Sequence, residues 1–468
     1  MRSIACVDQG TSSTRCLVVD EGGAWRDVAS LPHGEHYPFA RWVEQDAEQL
    51  LGNVRAVLAA AGPVDGIAIA NQGESCLAWD ALTGEALSPV IVWKDARTAA
   101  HLASMTPDAH DLSRDVCGLP LDPYFSASKL AWLLRNLPAV AQAFEAGRLR
   151  LGTTDAFFLD RLAGHSITDL TTASRTGLLD LATGTWSDAL CALHGVPPQC
   201  LPRISTAGET LGTINGVPVL ASVVDQQAAL FGHGCRQRGA SKITFGTGAF
   251  MLAIAGHERP AAGDLLPTIA WARPGEGLTY AIEGGVYDAG TALDWARRIG
   301  LYSTPDELDC FDGPSAISRG LAFVPALSGL AAPQWDRSAA PLFIGMNHAT
   351  DRRDMVRAIL EGIALLTAGL VKQADSLVPL GNTISIDGGL SQSVYFAQFL
   401  ASACNKTIIV PATHEMTCIG LAELCGIDVA PARASRLRFE PEVPVPPAHH
   451  AIFETAIARA RDWRPDDV

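Results

Sequence analysis

Two similar strand–turn–strand patterns, one in each half of the chain, constrain the fold more than any other feature of the sequence. Residues 3–20 and residues 241–254 each contain two short apolar runs around a polar turn. Each turn carries a Gly-Thr pair, Gly10–Thr11 in the first and Gly246–Thr247 in the second. The two segments are not close sequence repeats. A supersecondary pattern that returns in the second half still predicts a duplicated architecture.

Helix-like and strand-like patterns alternate through both halves. The first half has helical apolar spacing over residues 46–61 and a strand pattern over residues 66–70. The second half has a long helical pattern over residues 352–373, followed by a strand pattern over residues 384–386. This alternation predicts α/β layers in each half. The length of 468 residues also exceeds what one core usually supports. We therefore expect two domains, residues 1–233 and residues 234–468.

Composition excludes several classes of protein. The formal net charge is -15 and the sequence has no dense Lys/Arg run, which argues against nucleic-acid binding. No apolar run approaches the roughly 20 residues that span a bilayer, so no membrane association is expected. The eleven cysteines include no CxxC pair, which disfavours a zinc site of that type. A reducing, cytoplasmic setting fits these cysteines best.

The two Gly-Thr turns are candidate phosphate-binding loops. Glycine allows backbone N–H groups to approach an anion closely, and hydroxyl side chains add further donors. The first loop also offers Arg15, whose guanidinium suits phosphate, and Asp8, which could hold Mg²⁺. An ordinary polar hairpin loop explains these residues equally well. The chain lacks both the P-loop pattern and GxGxxG. The turn 387–389, Asp-Gly-Gly, could receive a nucleotide at the strand ends.

Asp225 follows an apolar, strand-like run over residues 219–224 and precedes a helical pattern. The commoner use of such an aspartate is to cap the helix N-terminus. The alternative is a general base for phosphoryl transfer, which needs positioning, a metal and an acceptor for the hydroxyl proton. Local pattern alone leaves both interpretations open.

Longer stretches around these residues resemble a known family. Residues 225–232 read Asp-Gln-Gln-Ala-Ala-Leu-Phe-Gly, and residues 91–98 read Ile-Val-Trp-Lys-Asp-Ala-Arg-Thr. From about residue 3 to about residue 426 the chain resembles the FGGY carbohydrate kinases, and within them it is most similar to the glycerol kinases. The resemblance implies two actin-like, ribonuclease-H-like α/β domains with the active site in the cleft between them. It also implies ATP-dependent phosphorylation of a small polyol or sugar.

The resemblance carries site residues over to matching positions. It makes Asp225 the catalytic base, and Asp8 and Asp225 are the expected Mg²⁺ anchors. The expected substrate-binding positions are Gly73, Glu74, Trp93, Tyr124, Asp225, Gln226 and Phe250. The expected ATP-binding positions are Thr11, Ser12, Ser13, Arg15, Thr247, Gly290, Asp294, Gly389 and Ser393.

Several positions depart from the family pattern. Gly73 stands where glycerol kinases carry a substrate-binding Arg, so guanidinium donors are missing and space is opened. Asp294 stands where the family has Gln, and Ser393 where it has Asn. The segment 211–217 is shorter than the loop that binds a sugar-bisphosphate inhibitor in bacterial glycerol kinases, and it has no Arg. We therefore expect that regulation to be absent.

Three functions remain open on the sequence. Glycerol is the first expected acceptor, and Gly73 keeps open another polyol or a ketose such as erythritol, xylulose or ribulose. A non-catalytic, nucleotide-dependent sensor on the same fold is the third, although Asp225 is present. When a site loses a hydrogen bond to a substrate hydroxyl, its specificity changes by about 10⁴-fold. Gly73 therefore bears on which substrate is phosphorylated. A homodimer or homotetramer is expected.

Overall fold

Each half of the chain is built on one mixed β-sheet with helices packed against it. The structure, a computed structural model, describes residues 2–261, 263–429 and 434–464. Among these residues, no helix has the length and apolar character needed to cross a bilayer.

The first half contains fourteen strands and nine α-helices. The strands are β1 (Ser3–Gln9), β2 (Ser13–Asp20), β3 (Trp25–Pro32), β4 (Glu44–Gln45), β5 (Gly66–Asn71), β6 (Cys76–Asp80), β7 (Val90–Ile91), β8 (Leu149–Thr153), β9 (Ile167–Thr168), β10 (Leu179–Asp180), β11 (Thr185–Trp186), β12 (Arg203–Ile204), β13 (Thr213–Ile214) and β14 (Val217–Val224). The helices are α1 (Ala47–Ala61), α2 (Ala99–Ala103), α3 (Pro107–Val116), α4 (Ser126–Asn136), α5 (Pro138–Glu145), α6 (Thr154–Ala163), α7 (Leu170–Ala173), α8 (Asp188–His194) and α9 (Asp225–Gly232).

The second half, as far as it is described, contains nine strands and five α-helices. The strands are β15 (Ser241–Phe245), β16 (Ala249–Gly256), β17 (Leu266–Arg273), β18 (Gly277–Val286), β19 (Ala322–Val324), β20 (Leu342–Ile344), β21 (Thr383–Gly388), β22 (Thr407–Pro411) and β23 (Ser435–Phe439). The helices are α10 (Gly290–Arg298), α11 (Arg352–Leu377), α12 (Val394–Cys404), α13 (Met416–Leu424) and α14 (Pro447–Ala460).

The two main sheets repeat one arrangement. The first has the order β13-β14-β5-β1-β2-β3, and the second has the order β17-β18-β16-β15-β21-β22-β23. In the first, β1 pairs antiparallel with β2 and parallel with β5. In the second, β15 pairs antiparallel with β16 and parallel with β21. The predicted duplicated α/β architecture is thereby confirmed, and both Gly-Thr turns are hairpin tips.

In the part of the chain that the structure describes, four smaller sheets accompany the two main sheets. A four-stranded sheet has the order β4-β7-β6-β8. Because β6 pairs with β7, the loop between β5 and β6 lies beside the chain that follows β7. Three two-stranded sheets, β10-β11, β12-β9 and β19-β20, complete the pairing among the described strands. The four-stranded sheet matters for the site, because it holds the loops that carry Glu74 and Trp93 near the ends of β5 and β14.

Local sequence explains where the helices begin. Asp46 caps α1, its side chain accepting hydrogen bonds from the amides of Glu48 and Gln49. The buried face of α1, which includes Leu50, Val54 and Val57, then packs on the first sheet. Helix α9 follows β14 directly, so its first residue, Asp225, lies at the carboxyl end of a central strand.

Candidate active site

A cavity of about 140 Å³ lies where the two hairpin tips meet the ends of β5 and β14. Its walls come from both halves of the chain. All seven residues predicted to bind the substrate line it, namely Gly73, Glu74, Trp93, Tyr124, Asp225, Gln226 and Phe250. Thr11 and Thr247, one from each predicted phosphate loop, line the same cavity.

Asp225 is held at the first position of α9 and does not act as the helix cap. Val224 occupies the cap position, and the Asp225 Oδ1 atom accepts a hydrogen bond from the adjacent amide of Gln226 at 2.7 Å. Burial, together with the negative charge of Asp8, raises the pKa of Asp225 to about 7, although Lys242 opposes the shift. This carboxyl group can therefore change its protonation state near neutral pH.

Glu74 and Glu283 share one buried guanidinium. Arg175 donates from Nε to Glu74 Oε1 at 2.6 Å and from Nη2 to Glu283 Oε1 at 2.7 Å. Burial raises the pKa of Glu74, and Arg175 partly offsets this shift. Glu74 also has a φ of 60°, a left-handed backbone conformation that is uncommon for this residue type and that often marks functional sites.

Aromatic side chains form another part of the cavity wall. The ring of Trp93 lies edge-on to Tyr124 and to Phe250, with centroids 5.6 Å and 6.0 Å away. Trp93 Nε1 donates to the Thr11 hydroxyl at 3.0 Å. This bond ties the aromatic wall to the first hairpin tip, so the predicted phosphate loop and the predicted substrate wall form one unit.

A buried lysine fixes the orientation of Gln226. Lys242 Nζ donates to Gln226 Oε1 and, at 2.9 Å, to the Thr244 hydroxyl. Burial lowers the pKa of Lys242, while the carboxylates of Asp387 and Asp225 raise it. Because the amide oxygen of Gln226 accepts from Lys242, the amide nitrogen remains to donate into the cavity.

The remaining residues of the first loop surround its tip. Ser12 is exposed, and the Arg15 Nε atom donates to the Ser13 hydroxyl at 3.4 Å. The guanidinium of Arg15 also lies 3.5 Å from Glu415, and its side chain is half exposed. Arg15 thus sits at the open edge of the loop and contacts a carboxylate from the second half of the chain.

The other predicted nucleotide positions lie outside the cavity lining. Gly290 begins α10 against the second hairpin tip, where a Cβ atom would come within 2.5 Å of the Gly246 carbonyl oxygen. Asp294 is exposed and pairs with Arg297. Gly389 is exposed after β21. Ser393 is buried, and its hydroxyl caps α12 and donates to Asp309.

Asp8, near the end of β1, and Asp225, at the start of α9, offer carboxylate oxygens that suit a hard cation. Burial raises the pKa of Asp8 to about 6, and its charge destabilises the ionised form of Asp225. A divalent cation between two such oxygen ligands would relieve this repulsion. The described residues contain no cluster of three or more His, Cys, Asp or Glu side chains placed to hold a metal ion. Proteins commonly hold Mg²⁺ through one or two carboxylates together with substrate phosphates.

The sequence analysis assigned no role to five cavity residues: Gln72, Arg175, Val224, Thr244 and Glu283. Arg175 belongs to the segment 173–176, Ala-Ser-Arg-Thr, and a charged residue within that short polar run was the available signal. Glu283 had a weaker signal, a lone carboxylate in an otherwise apolar strand. Nothing local pointed to Val224.

Comparison with known proteins places this site in a family. The family model for the N-terminal domain of the FGGY family of carbohydrate kinases matches residues 3–232, and the model for its C-terminal domain matches residues 241–429. Glycerol kinase of Deinococcus radiodurans is 36% identical over 99% of this chain and 98% of that protein. Glycerol kinase of Alkalilimnicola ehrlichii is 36% identical over the whole of both chains.

Solved structures agree with the fold. The crystal structure of Plasmodium falciparum glycerol kinase with ADP superposes with a TM-score of 0.86 at 27% identity, covering 98% of each chain. A ligand-bound xylulose kinase from Lactobacillus acidophilus gives a TM-score of 0.82 at 21% identity, covering 98% of this chain and 97% of that one, and supports the fold alone. The chain therefore belongs to the FGGY family of carbohydrate kinases and is an ATP-dependent phosphotransferase.

Proposed function

We propose that this enzyme transfers the γ-phosphoryl group of ATP to a hydroxyl of a small polyol, with glycerol as the first candidate. The observation that carries the proposal is one cavity in which Asp225 shares the walls with Glu74, Tyr124 and the two Gly-Thr tips. That arrangement puts a proton acceptor, hydroxyl-binding groups and phosphate-binding loops within reach of one small molecule. The relatives named glycerol kinase support the choice of acceptor.

In this mechanism Asp225 accepts the proton of the attacking hydroxyl. A pKa near neutrality suits a general base. A large fraction of the group is then ionised, and the carboxylate is still basic enough to accept a proton. Glu74 accepts a hydrogen bond from a second hydroxyl, and the Gln226 amide donates to an acceptor oxygen. Trp93 and Phe250 cover the carbon chain and exclude water, which would otherwise attack ATP.

The phosphate groups are assigned to the two hairpin tips. Thr11, Ser12, Ser13 and Arg15 donate from the first tip and Thr247 from the second, stabilising charge that builds up on the transferred group. Gly290, Asp294, Gly389 and Ser393 are assigned to the rest of the nucleotide. Asp8 and Asp225 would hold Mg²⁺, which neutralises phosphate charge when it is bound.

A second candidate is another polyol or a ketose, such as erythritol, xylulose or ribulose. The observation that favours it is the wall at Gly73, where glycerol kinases carry an Arg. A Cβ atom built on Gly73 would lie 3.1 Å from Val224 Cγ1, so the Val224 side chain packs against this position. An apolar contact replaces hydrogen-bond donors at this position. Under this second candidate, we therefore expect the enzyme to phosphorylate a different substrate from that of the glycerol kinases.

A coupled ADP-release assay over glycerol, erythritol, xylitol, xylulose and ribulose tests the proposal. We expect one polyol to be phosphorylated with the highest kcat/KM, and glycerol to be that polyol under the first candidate. A clear preference for a ketose would replace the first candidate with the second. ATP binding without turnover of any of the five compounds would contradict both candidate acceptors.

Two further assignments belong to the same proposal. The chain divides into domains 1–233 and 234–468, a division that the two family matches support because they end and begin at residues 232 and 241. We also propose a homodimer or homotetramer. Light scattering on the purified protein would show a monomer if that assignment is wrong.

A further inference from the structure

Glu283 projects into the same cavity from the second half of the chain. Side chains alternate between the two faces of strand β18. A Cβ atom on Gly284 would meet Leu370 in the core, whereas a Cβ atom on Gly285 would lie 3.1 Å from the ring of Phe250. Glu283 and Gly285 therefore share the face of β18 that is directed at the cavity, and Glu283 is part of its lining.

The bridge between Glu74, Arg175 and Glu283 leaves one oxygen of each carboxylate unused. Arg175 donates to Oε1 of both glutamates, and no described residue is seen to donate to Oε2 of either one. The buried Nη1 atom of Arg175 also has no hydrogen-bond partner among the described residues. The side chains of Arg175, Glu74 and Glu283 are only 1%, 6% and 5% exposed. Carboxylate oxygens in such surroundings are stabilised when a hydrogen-bond donor reaches them.

The side-chain position of Gly73 is covered by an apolar group. The methyl groups of Val224 pack against the position where a side chain at residue 73 would begin. Beyond Asp225 and Gln226, the polar side chains left for hydroxyl groups include Glu74 and Glu283, which flank the guanidinium of Arg175.

We propose that Glu283 is a substrate-binding residue that determines the choice of acceptor. Its Oε2 atom accepts a hydrogen bond from one hydroxyl of the substrate, and Glu74 binds a different hydroxyl. Arg175 holds both carboxylates in place. The inference rests on the proposed function, because it takes the acceptor to be a polyhydroxy compound.

The chemistry of a carboxylate narrows the class of acceptor. An ionised carboxylate only accepts hydrogen bonds, so the group it faces must donate one. A hydroxyl does so, whereas a carbonyl oxygen is left unpaired and a second carboxylate is repelled. The site therefore takes an acyclic polyol with a hydroxyl at this point and rejects an acid or a carbonyl placed there.

Titration calorimetry without nucleotide, comparing Glu283→Gln with the wild-type protein, tests the proposal. The probes are glycerol, erythritol and xylitol. Gln keeps the shape and an oxygen for Arg175 while removing the charge. We expect the Kd of the tightest polyol to rise about 10- to 100-fold, the usual range for losing a charge-assisted hydrogen bond. The KM for ATP should stay unchanged. If Glu283 had a purely structural role, its replacement would disturb polyol binding and ATP binding together.

Glu276→Gln is the matched control, since Glu276 is an exposed carboxylate in the turn before β18 that pairs with Arg273. It should bind polyols as the wild type does. If Glu283→Gln does not fold, Glu283→Asp, which withdraws the carboxylate by one methylene group, should weaken polyol binding in the same way.

Unchanged polyol affinity in the folded Glu283 variant would overturn the inference, and so would a wild-type protein that binds none of the three polyols. The ADP-release assay decides the proposed function separately. Suppose that the wild-type enzyme phosphorylates a polyol and that the Glu283→Gln variant binds this polyol equally well. The proposed function would then stand, and only the role of Glu283 would be disproved.

Discussion

At the scale of single residues, the carboxylates of the cavity differ in what surrounds them. Asp225 lies beside the like-charged Asp8, and burial raises the pKa of both carboxyl groups. Glu74 is instead paired with Arg175 at 2.6 Å. Burial raises the pKa of Glu74 to about 7 as well, so the two carboxyl groups differ mainly in the guanidinium that holds Glu74 in one orientation. The proposed roles, Asp225 as base and Glu74 as substrate holder, rest on that difference.

Replacing the base tests that division. Asp225→Asn keeps the shape of the side chain and removes its ability to accept a proton. We expect kcat to fall by about 10²- to 10⁴-fold, the usual contribution of general acid–base catalysis. Thermal stability should not fall, because repulsion with Asp8 is removed at the same time.

The control for this variant is Asp108→Asn, an exposed carboxylate in the first turn of α3. It should leave both kcat and thermal stability unchanged. An Asp225→Asn enzyme with wild-type kcat would show that another group accepts the proton.

At the scale of elements, the contact between α9 and α13 positions Asp225. A Cβ atom on Gly420 would come within 1.8 Å of the Ala228 carbonyl oxygen, and one on Gly232 within 2.1 Å of the Met416 carbonyl oxygen. The two backbones therefore touch through glycines. Because Asp225 is the first residue of α9, the spacing of this helix pair also sets the position of the base.

Gly420→Ala should force the two helices apart. Overpacking of a closed interior contact typically costs about 1–3 kcal/mol, and we expect the free energy of unfolding to fall by that amount. The expected kcat is also lower, since α9 carries Asp225. Urea unfolding followed by circular dichroism, together with the ADP-release assay, measures both effects.

Gly369→Ala provides the comparison within a helix. Gly369 is exposed in α11, and a Cβ atom there meets no atom within 4 Å. This variant should gain about 1 kcal/mol from improved helix propensity. If Gly420→Ala is as stable and as active as the wild type, the contact between α9 and α13 does not position the base.

At the scale of the whole molecule, the two halves meet through polar as well as apolar contacts. The ion pair between Arg175 and Glu283 joins them at the cavity, and the hydroxyls of Ser174 and Thr268 meet at 2.9 Å. The cavity therefore exists only when both halves are in place. A regulator that binds outside the cavity could change activity by changing this arrangement.

Fructose 1,6-bisphosphate should not be such a regulator. The segment 211–217 forms the tight hairpin between β13 and β14, and Asn215 and Gly216 both have positive φ angles, as a two-residue turn requires. The turn leaves no extended loop and contains no Arg. Titration of the bisphosphate into the ADP-release assay, with sodium sulfate at matched ionic strength as control, should show no specific inhibition. Strong inhibition by the bisphosphate alone would contradict this prediction.

Sequence by itself determined the elements and the chemistry that each of them carries. The hairpins at residues 3–20 and 241–254, the alternation of helices and strands and the place of Asp225 after a strand all follow from periodicity and turn residues, which act over a few positions. The repeated pattern and the chain length also predicted two domains, and the confirmed fold class agrees with the duplicated α/β architecture. The resemblance to a family added the substrate-binding positions, all seven of which line one cavity.

Tertiary structure decided the contacts between distant parts of the chain. The guanidinium of Arg175 meets carboxylates 101 and 108 residues away, and the side chain of Val224 packs against Gly73. No local pattern encodes such pairs, because each depends on how β5, β14 and β18 are placed in space. For the same reason Asp225 proved to be a cavity residue and not a helix cap: its backbone position is local, but the neighbours that raise its pKa are not.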